Sequence, residues 1–98
     1  MNKKKISRFF LIKKKLNEVL KPIYMKIIDT SDAHYSFHGE ETHFKIIVVT
    51  KKFNNKKILL RHKKIYNLLD SEWSLGLHSL ELYTYSPDEW NKAKIKNK

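Results

Sequence analysis

The chain has 98 residues, no cysteine, and 21 lysines and arginines against 10 aspartates and glutamates, for a formal charge of +11. That length supports one hydrophobic core and not two. The missing thiols exclude a disulfide framework and any metal site built on this chain's own cysteines. The charge would draw the chain toward nucleic acid, anionic lipid or an acidic protein, but with 19 of the 21 basic residues lysine beside many Asn and Ile, drift toward A-rich codons accounts for it equally well. A hydrophobic fraction of 41% fits a folded domain with a solvated surface, and the apolar run Phe9-Phe10-Leu11-Ile12 meets three lysines before it reaches the length of a signal-peptide core. The expectation is a cytoplasmic protein that makes no membrane contact.

The first predicted element is a helix from about Ser7 to Leu20, in which Ile12, Leu16, Val19 and Leu20 follow the 3.6-residue period and Lys13, Lys14, Lys15 and Asn17 take the other side. Lys21-Pro22 stops it, because a residue before proline avoids the helical region. Ile23 to Asp29 reads as a strand, and Phe44 to Thr50 as a second, rich in branched side chains and mostly buried. Between them, Thr30 to His43 is polar and aperiodic and holds His34, His38 and Gly39, a connection long enough in a small domain to be functional or mobile.

Asn54-Asn55 reads as a turn and helix cap, followed by a long helix from Lys56 to about Glu72 with Ile58, His62, Ile65, Leu68 and Leu69 on one stripe. Gly76 closes the next connection, and His78 to Thr84 alternates as a half-buried strand with His78 on the side of Leu80 and Leu82. Ser86-Pro87-Asp88-Glu89 combines a capping hydroxyl, a proline at the first helical position and a glutamate three residues after the cap. Trp90 anchors that last helix structurally. The predicted architecture is a single α+β domain over residues 1–98, folded from about 7 to 91 with a basic tail over 92–98. Its order is αββαβα, with helices packed on one face of a three-stranded mixed sheet by a right-handed crossover.

No nucleophile with a paired base, glycine-rich phosphate loop or carboxylate dyad is visible, which argues against an enzyme. The residues able to carry chemistry are histidines and lysines. His62, on the apolar stripe, reads as a structural ring that donates a hydrogen bond in the interior, since an unpaired buried polar group costs about 1–3 kcal/mol. His78 reads either as a partly buried imidazole bonded to a carbonyl or, at its strand end, as a ring facing outward; His43 is either structural or on that same surface. Lys51, Lys52, Lys56, Lys57, Arg61, Lys63 and Lys64 carry seven positive charges with no acid between them around a helix start, where backbone amides attract phosphate. They are the nucleic-acid-binding candidates.

Taken in order, Pro22, Thr42-His43-Phe44-Lys45, Thr50 and Phe53, Arg61-His62-Lys63 with Ile65-Tyr66, Leu77-His78-Ser79-Leu80 and Ser86-Pro87-Asp88-Glu89-Trp90 resemble the BolA/IbaG family over about Leu16 to Asn91. The resemblance implies a type II KH-like fold and two non-catalytic roles. One is partnership with a monothiol glutaredoxin around a shared 2Fe-2S cluster; the other is transcriptional regulation linked to stress, shape and envelope. By position, it implies His34 and His78 as the metal ligands this chain offers, with thiolates from the glutaredoxin and its glutathione, and His38 as a competitor of His34. Histidine ligation of one iron raises the reduction potential, which suits sensing or transfer better than low-potential electron transfer. A KH domain that grips RNA uses a Gly-x-x-Gly turn, whereas the corresponding stretch here is Asn54-Asn55-Lys56-Lys57 and many relatives have glycine where Asn55 stands. The alternative function is therefore salt-sensitive DNA binding, and the free protein is expected to be a monomer or a weak homodimer.

Overall fold

A computed structural model describes residues 7–31 and 41–96. In chain order the elements are α1 (Arg8–Leu20), β1 (Tyr24–Asp29), β2 (His43–Val49), a 3-10 turn (Lys51–Phe53), α2 (Ile58–Leu68), α3 (Asp70–Ser74), β3 (Ser79–Tyr85) and α4 (Pro87–Lys96). α1 begins where the Ser7 hydroxyl accepts the Phe10 N–H at 3.3 Å. It ends at Lys21, which turns left-handed at φ 46° and donates its N–H to the Asn17 carbonyl.

β2 is the central strand. β1 runs antiparallel to it, with Tyr24 opposite Val49 and Asp29 opposite Phe44; β3 runs parallel, with His43 beside Ser79 and Val49 beside Tyr85. The parallel pair requires a crossover, which α2 and α3 supply. Alternation along the strands sends Phe44, Ile46, Val48 and Leu80 to one face, where they pack against Ile12, Leu16 and Leu20 of α1 and against Phe53, Ile65, Leu69 and Leu77. The three-stranded mixed α+β arrangement is thus the one expected from the sequence, with helices α1 and α2 over the core face.

Several local details depart from the sequence expectation. The long helix breaks at Leu69, whose φ and ψ of -104° and 21° separate α2 from α3. Asn54 and Asn55 do not cap it: Lys57 is the cap residue without a side-chain bond, and Asn55 instead takes the left-handed conformation at φ 61°, a position asparagine tolerates and glycine favours. The inward side of α2 is Arg61 and Ile65, while Ile58, in the overhanging first turn, is 52% exposed and His62 is half-buried rather than interior. α4 continues to Lys96, beyond the Asn91 boundary.

The outer face of the sheet is treated differently at its two ends. Tyr24, Val49 and Tyr85 lie in one cross-strand row, and Trp90 of α4 closes over it, stacked on Tyr24 at 5.1 Å between centroids and tilted against Tyr85 at 5.1 Å. Val49 is fully buried beneath. Arg61 holds this closure from the core side: its guanidinium is enclosed at 3% exposure and donates to Glu89 Oε1 and Oε2 at 2.6 and 3.0 Å and to the Thr84 carbonyl, while its Nε donates to the Lys56 carbonyl. Glu89 also accepts the Ser86 N–H, and Ser86 Oγ accepts the Glu89 N–H, which is the reciprocal box read from Ser86-Pro87-Asp88-Glu89.

Candidate functional site

At the opposite end of the outer face, β2 starts with His43 and the residue before β3 is His78. The parallel register puts His43 beside Ser79, so two imidazoles 35 positions apart become neighbours: their rings stack at 5.8 Å between centroids, 15° from parallel. His78 is exposed and His43 half-buried. The backbone of His78 is fixed by its N–H donating to the Thr42 carbonyl at 2.8 Å, and the Thr42 hydroxyl lies 2.9 Å from His43 Nδ1. Of the two readings open for His78, the outward-facing one is what this arrangement shows.

A hydrogen-bonded frame stands behind the pair. Asp29 Oδ1 accepts the Ser31 N–H at 2.9 Å and the Ser31 hydroxyl at 2.6 Å, while Asp29 Oδ2 accepts the Glu41 N–H at 3.0 Å. Ser31 Oγ in turn accepts the N–H groups of Thr42 and His43. Partial burial pushes the Asp29 carboxyl up, but hydrogen bonds from the Ser31 hydroxyl, the Ser31 N–H and the Glu41 N–H, with the charge of His43, together hold it below the usual carboxylate range. Asp29 therefore stays ionised and pins both ends of the connection between β1 and β2 beside the imidazole pair.

Arg8 of α1 braces the same corner. Its Nε pairs with Glu72 at 2.8 Å, Nη2 donates to the Leu75 carbonyl at 2.8 Å, and Nη1 donates to the Glu41 carbonyl. The Glu41 carboxylate accepts the Ser7 hydroxyl and the Phe9 N–H. Gly76 follows Leu75 at φ +118°, and a Cβ there would come 3.4 Å from Arg8 Nη2, so the close approach and the backbone both favour glycine. Sequence reasoning singled out neither Arg8, Asp29 nor Glu41; the Asp29-x-Ser31 spacing of an Asx turn was the available signal.

His34 and His38 fall within residues 32–40, outside the described residues. His78 is at this site, with His43 rather than His34 as its described neighbour. Among the described residues no group of three or more histidines, aspartates and glutamates is disposed to hold a metal ion. Two imidazoles fall short of a tetrahedral set, so a metal held at this corner by the described residues would need further ligands from elsewhere. Lys51, Lys52, Lys56, Lys57, Lys63 and Lys64 are exposed around the start of α2. Arg61 stands apart from them, enclosed and committed to Glu89, because its guanidinium satisfies three backbone and carboxylate acceptors inside the fold.

A three-stranded mixed sheet with α1 and α2 on one face and a histidine pair at the mouth of its parallel strands defines a small α+β domain. The BolA-like protein family model matches residues 16–89. Over 79 residues, 81% of this chain and 75% of the relative, the sequence is 37% identical to the DNA-binding transcriptional regulator BolA of Escherichia coli K12. Among solved structures, the BolA domain of SufE1 from Arabidopsis thaliana aligns with a TM-score of 0.80 at 36% identity, covering 88% of this chain and 99% of that one. BolA1 from the same plant gives 0.80 at 33% identity, covering 87% and 98%. The chain belongs to the BolA-like family, whose matched members include proteins named as DNA-binding transcriptional regulators and the BolA domain of a SufE-like protein.

Proposed function

We propose that this chain is an adaptor for a monothiol glutaredoxin and that it offers His78 and His34 to a 2Fe-2S cluster held between the two proteins. The observation that carries the reading is the exposed His78 ring stacked on His43, at the corner where Ser31 and Glu41 anchor the segment bearing His34. His43 orients the ring of His78 and is the candidate to replace His34. The cluster supplies iron that accepts neutral imidazole nitrogen; the glutaredoxin and glutathione supply the thiolates this chain lacks. Iron–sulfur trafficking or iron and redox sensing follows from such a shared, exposed site.

Mixing the protein with a monothiol glutaredoxin, glutathione, iron and sulfide is expected to give a visible absorption spectrum distinct from that of the glutaredoxin alone. His78→Ala removes the difference, and the loss on His34→Ala compared with His43→Ala assigns the second imidazole. Coinciding spectra for the wild-type mixture and for glutaredoxin alone would sink the reading.

A second reading, DNA-binding regulation, draws support from the similarity to the Escherichia coli regulator and from the exposed lysines about α2. DNA affinity then falls steeply with salt, and neutralising Lys56 and Lys57 lowers the slope of log affinity against log salt by about 2. Sequence-selective protection of DNA supports regulation; uniform binding at every sequence tells against it.

A further inference from the structure

The first turn of α2 presents three successive apolar side chains to solvent, Ile58 at 52%, Leu59 at 65% and Leu60 at 52% exposure. Ile58 is not on the buried stripe that its spacing predicts, since the whole triplet is at the surface, and the shortness of the Phe9–Ile12 run, which underlies the expectation of no membrane contact, does not bear on a peripheral one. Isolated surface leucines are ordinary; here three exposed aliphatic side chains crowd the tip of α2, fanned around its axis, and such a concentration marks a contact surface. Around it stand the exposed Lys51, Lys52, Lys56, Lys57, Lys63 and Lys64, and no acid occurs from Lys51 to Leu69. The apolar surface continues inward into a groove of about 470 Å³ floored by Leu20, Phe53 and Leu60 and rimmed by Lys52, Lys56 and Lys64. Toward α4 the flank carries Asp88 and Glu89, and Glu89 is neutralised by Arg61.

We infer that this corner docks peripherally on an anionic lipid bilayer, with Ile58, Leu59 and Leu60 entering the headgroup boundary and the lysines contacting lipid phosphates and carboxylates. Two features select lipid over nucleic acid. The apolar side chains are aliphatic, so they offer no aromatic platform on which bases stack, and aliphatic side chains at a helix tip surrounded by lysines suit shallow entry at a headgroup boundary. The lysines supply the attraction to an anionic leaflet, which falls off within a Debye length and so acts only close to the surface. No helix of the described residues is long and apolar enough to cross a membrane, so the contact is superficial and reversible. It leaves the His43–His78 corner, built on other elements, unmodified by the lipid, and it stands or falls independently of the glutaredoxin reading.

The test is co-sedimentation of the full chain with phosphatidylcholine vesicles, with and without phosphatidylserine, in parallel with binding to a short DNA duplex at the same salt. Wild type partitions onto the phosphatidylserine vesicles and not onto phosphatidylcholine alone. Leu59→Ser, neutral in charge and at a site too exposed to matter for folding, lowers the partition about tenfold and leaves DNA affinity within about twofold. Lys56→Gln with Lys57→Gln lowers the partition about twentyfold. Equal partition onto both vesicle types, or an unchanged partition for Leu59→Ser, overturns the proposal. A matched loss of DNA affinity in Leu59→Ser overturns it as well, since the triplet would then serve nucleic acid.

Discussion

The two ends of the outer sheet face are built from opposite materials. At the Val49 end, Trp90 stacks over Tyr24 and Tyr85, Val49 is sealed, and Arg61 with Glu89 locks α4 in place. At the His43 end, about 20 Å away along strands of this length, no such aromatic lid appears among the described residues; polar side chains fix the backbone, and an imidazole is left at the surface. Packing is concentrated where the aromatic and ionic groups are, and the proposed ligand chemistry lies where no such lid is found among the described residues. If that division holds, substitutions at one end change unfolding while those at the other change only binding.

The largest expected effect is at the closed end. Arg61→Ala removes four internal hydrogen bonds and leaves the buried carbonyl of Thr84 short of a donor, so urea denaturation should show a loss of about 3 kcal/mol. Arg61→Lys should recover only part of this, because an ammonium cannot reproduce the paired contact with Glu89. Trp90→Ala comes next, at about 2 kcal/mol, through lost ring contacts and the uncovering of Val49. On the proposed function, neither variant should abolish the spectral difference of the mixture with glutaredoxin at a temperature where the variant is folded. Loss of the spectrum from a folded Trp90→Ala protein would break the division.

A smaller effect follows from Glu89. Hydrogen bonds from Arg61, then from the Ser86 N–H, bring its carboxyl down to about 2 from an ordinary 4.5. A folded-state value below the unfolded one stabilises fully above pH 4.5, and that contribution is lost as the pH falls from 4.5 toward 2. The carboxylate is half exposed, 46% by side chain, so screening reduces the contribution to about 1 kcal/mol. Acid titration of stability should therefore be shallower in Glu89→Gln than in wild type over that range. Asp29, also lowered, acts in the same sense at the other end, so some acid sensitivity persists in the variant.

Much of the closed end was legible in the sequence. The Ser86-Pro87-Asp88-Glu89 box and Trp90 are local signals, and hydrophobic periodicity located α1 and three strands to within a residue or two, because those elements bury a continuous face. Arg61 was legible only as a positive charge: a cation inside a basic run looks like surface, and what encloses it is Glu89, 28 positions away. Ile58 shows the converse failure. Its spacing with Ile65 is helical, yet periodicity assigns an angle around the axis and says nothing of where the helix overhangs its sheet. The His43–His78 contact depends on the parallel register of β2 and β3, a long-range pairing that no local pattern encodes, so a shared surface is one of two readings the sequence leaves open for His43 and the register decides between them. Glu41 and Arg8 escape a sequence reading for the same reason, since each acts on partners far along the chain, whereas Asp29 carries a local signal in its Asx-turn spacing to Ser31.

The smallest predicted effect sharpens the comparison most. His78 is exposed, and its backbone N–H donates to the Thr42 carbonyl just before β3. His78→Ala keeps that N–H and the carbonyl of Thr42 that accepts it, so the unfolding free energy should stay within about 0.5 kcal/mol of wild type. An imidazole kept for structure would instead cost a kcal/mol or more when removed, as buried hydrogen-bonded groups do. Measuring His78→Ala by the same urea titration used for Arg61→Ala sets the two ends on one scale: about 3 kcal/mol against nearly nothing. A loss of more than 1 kcal/mol at His78 would mean that this ring supports the fold, and the reason for leaving it at the surface would have to be sought in the packing against His43 instead of in a ligand.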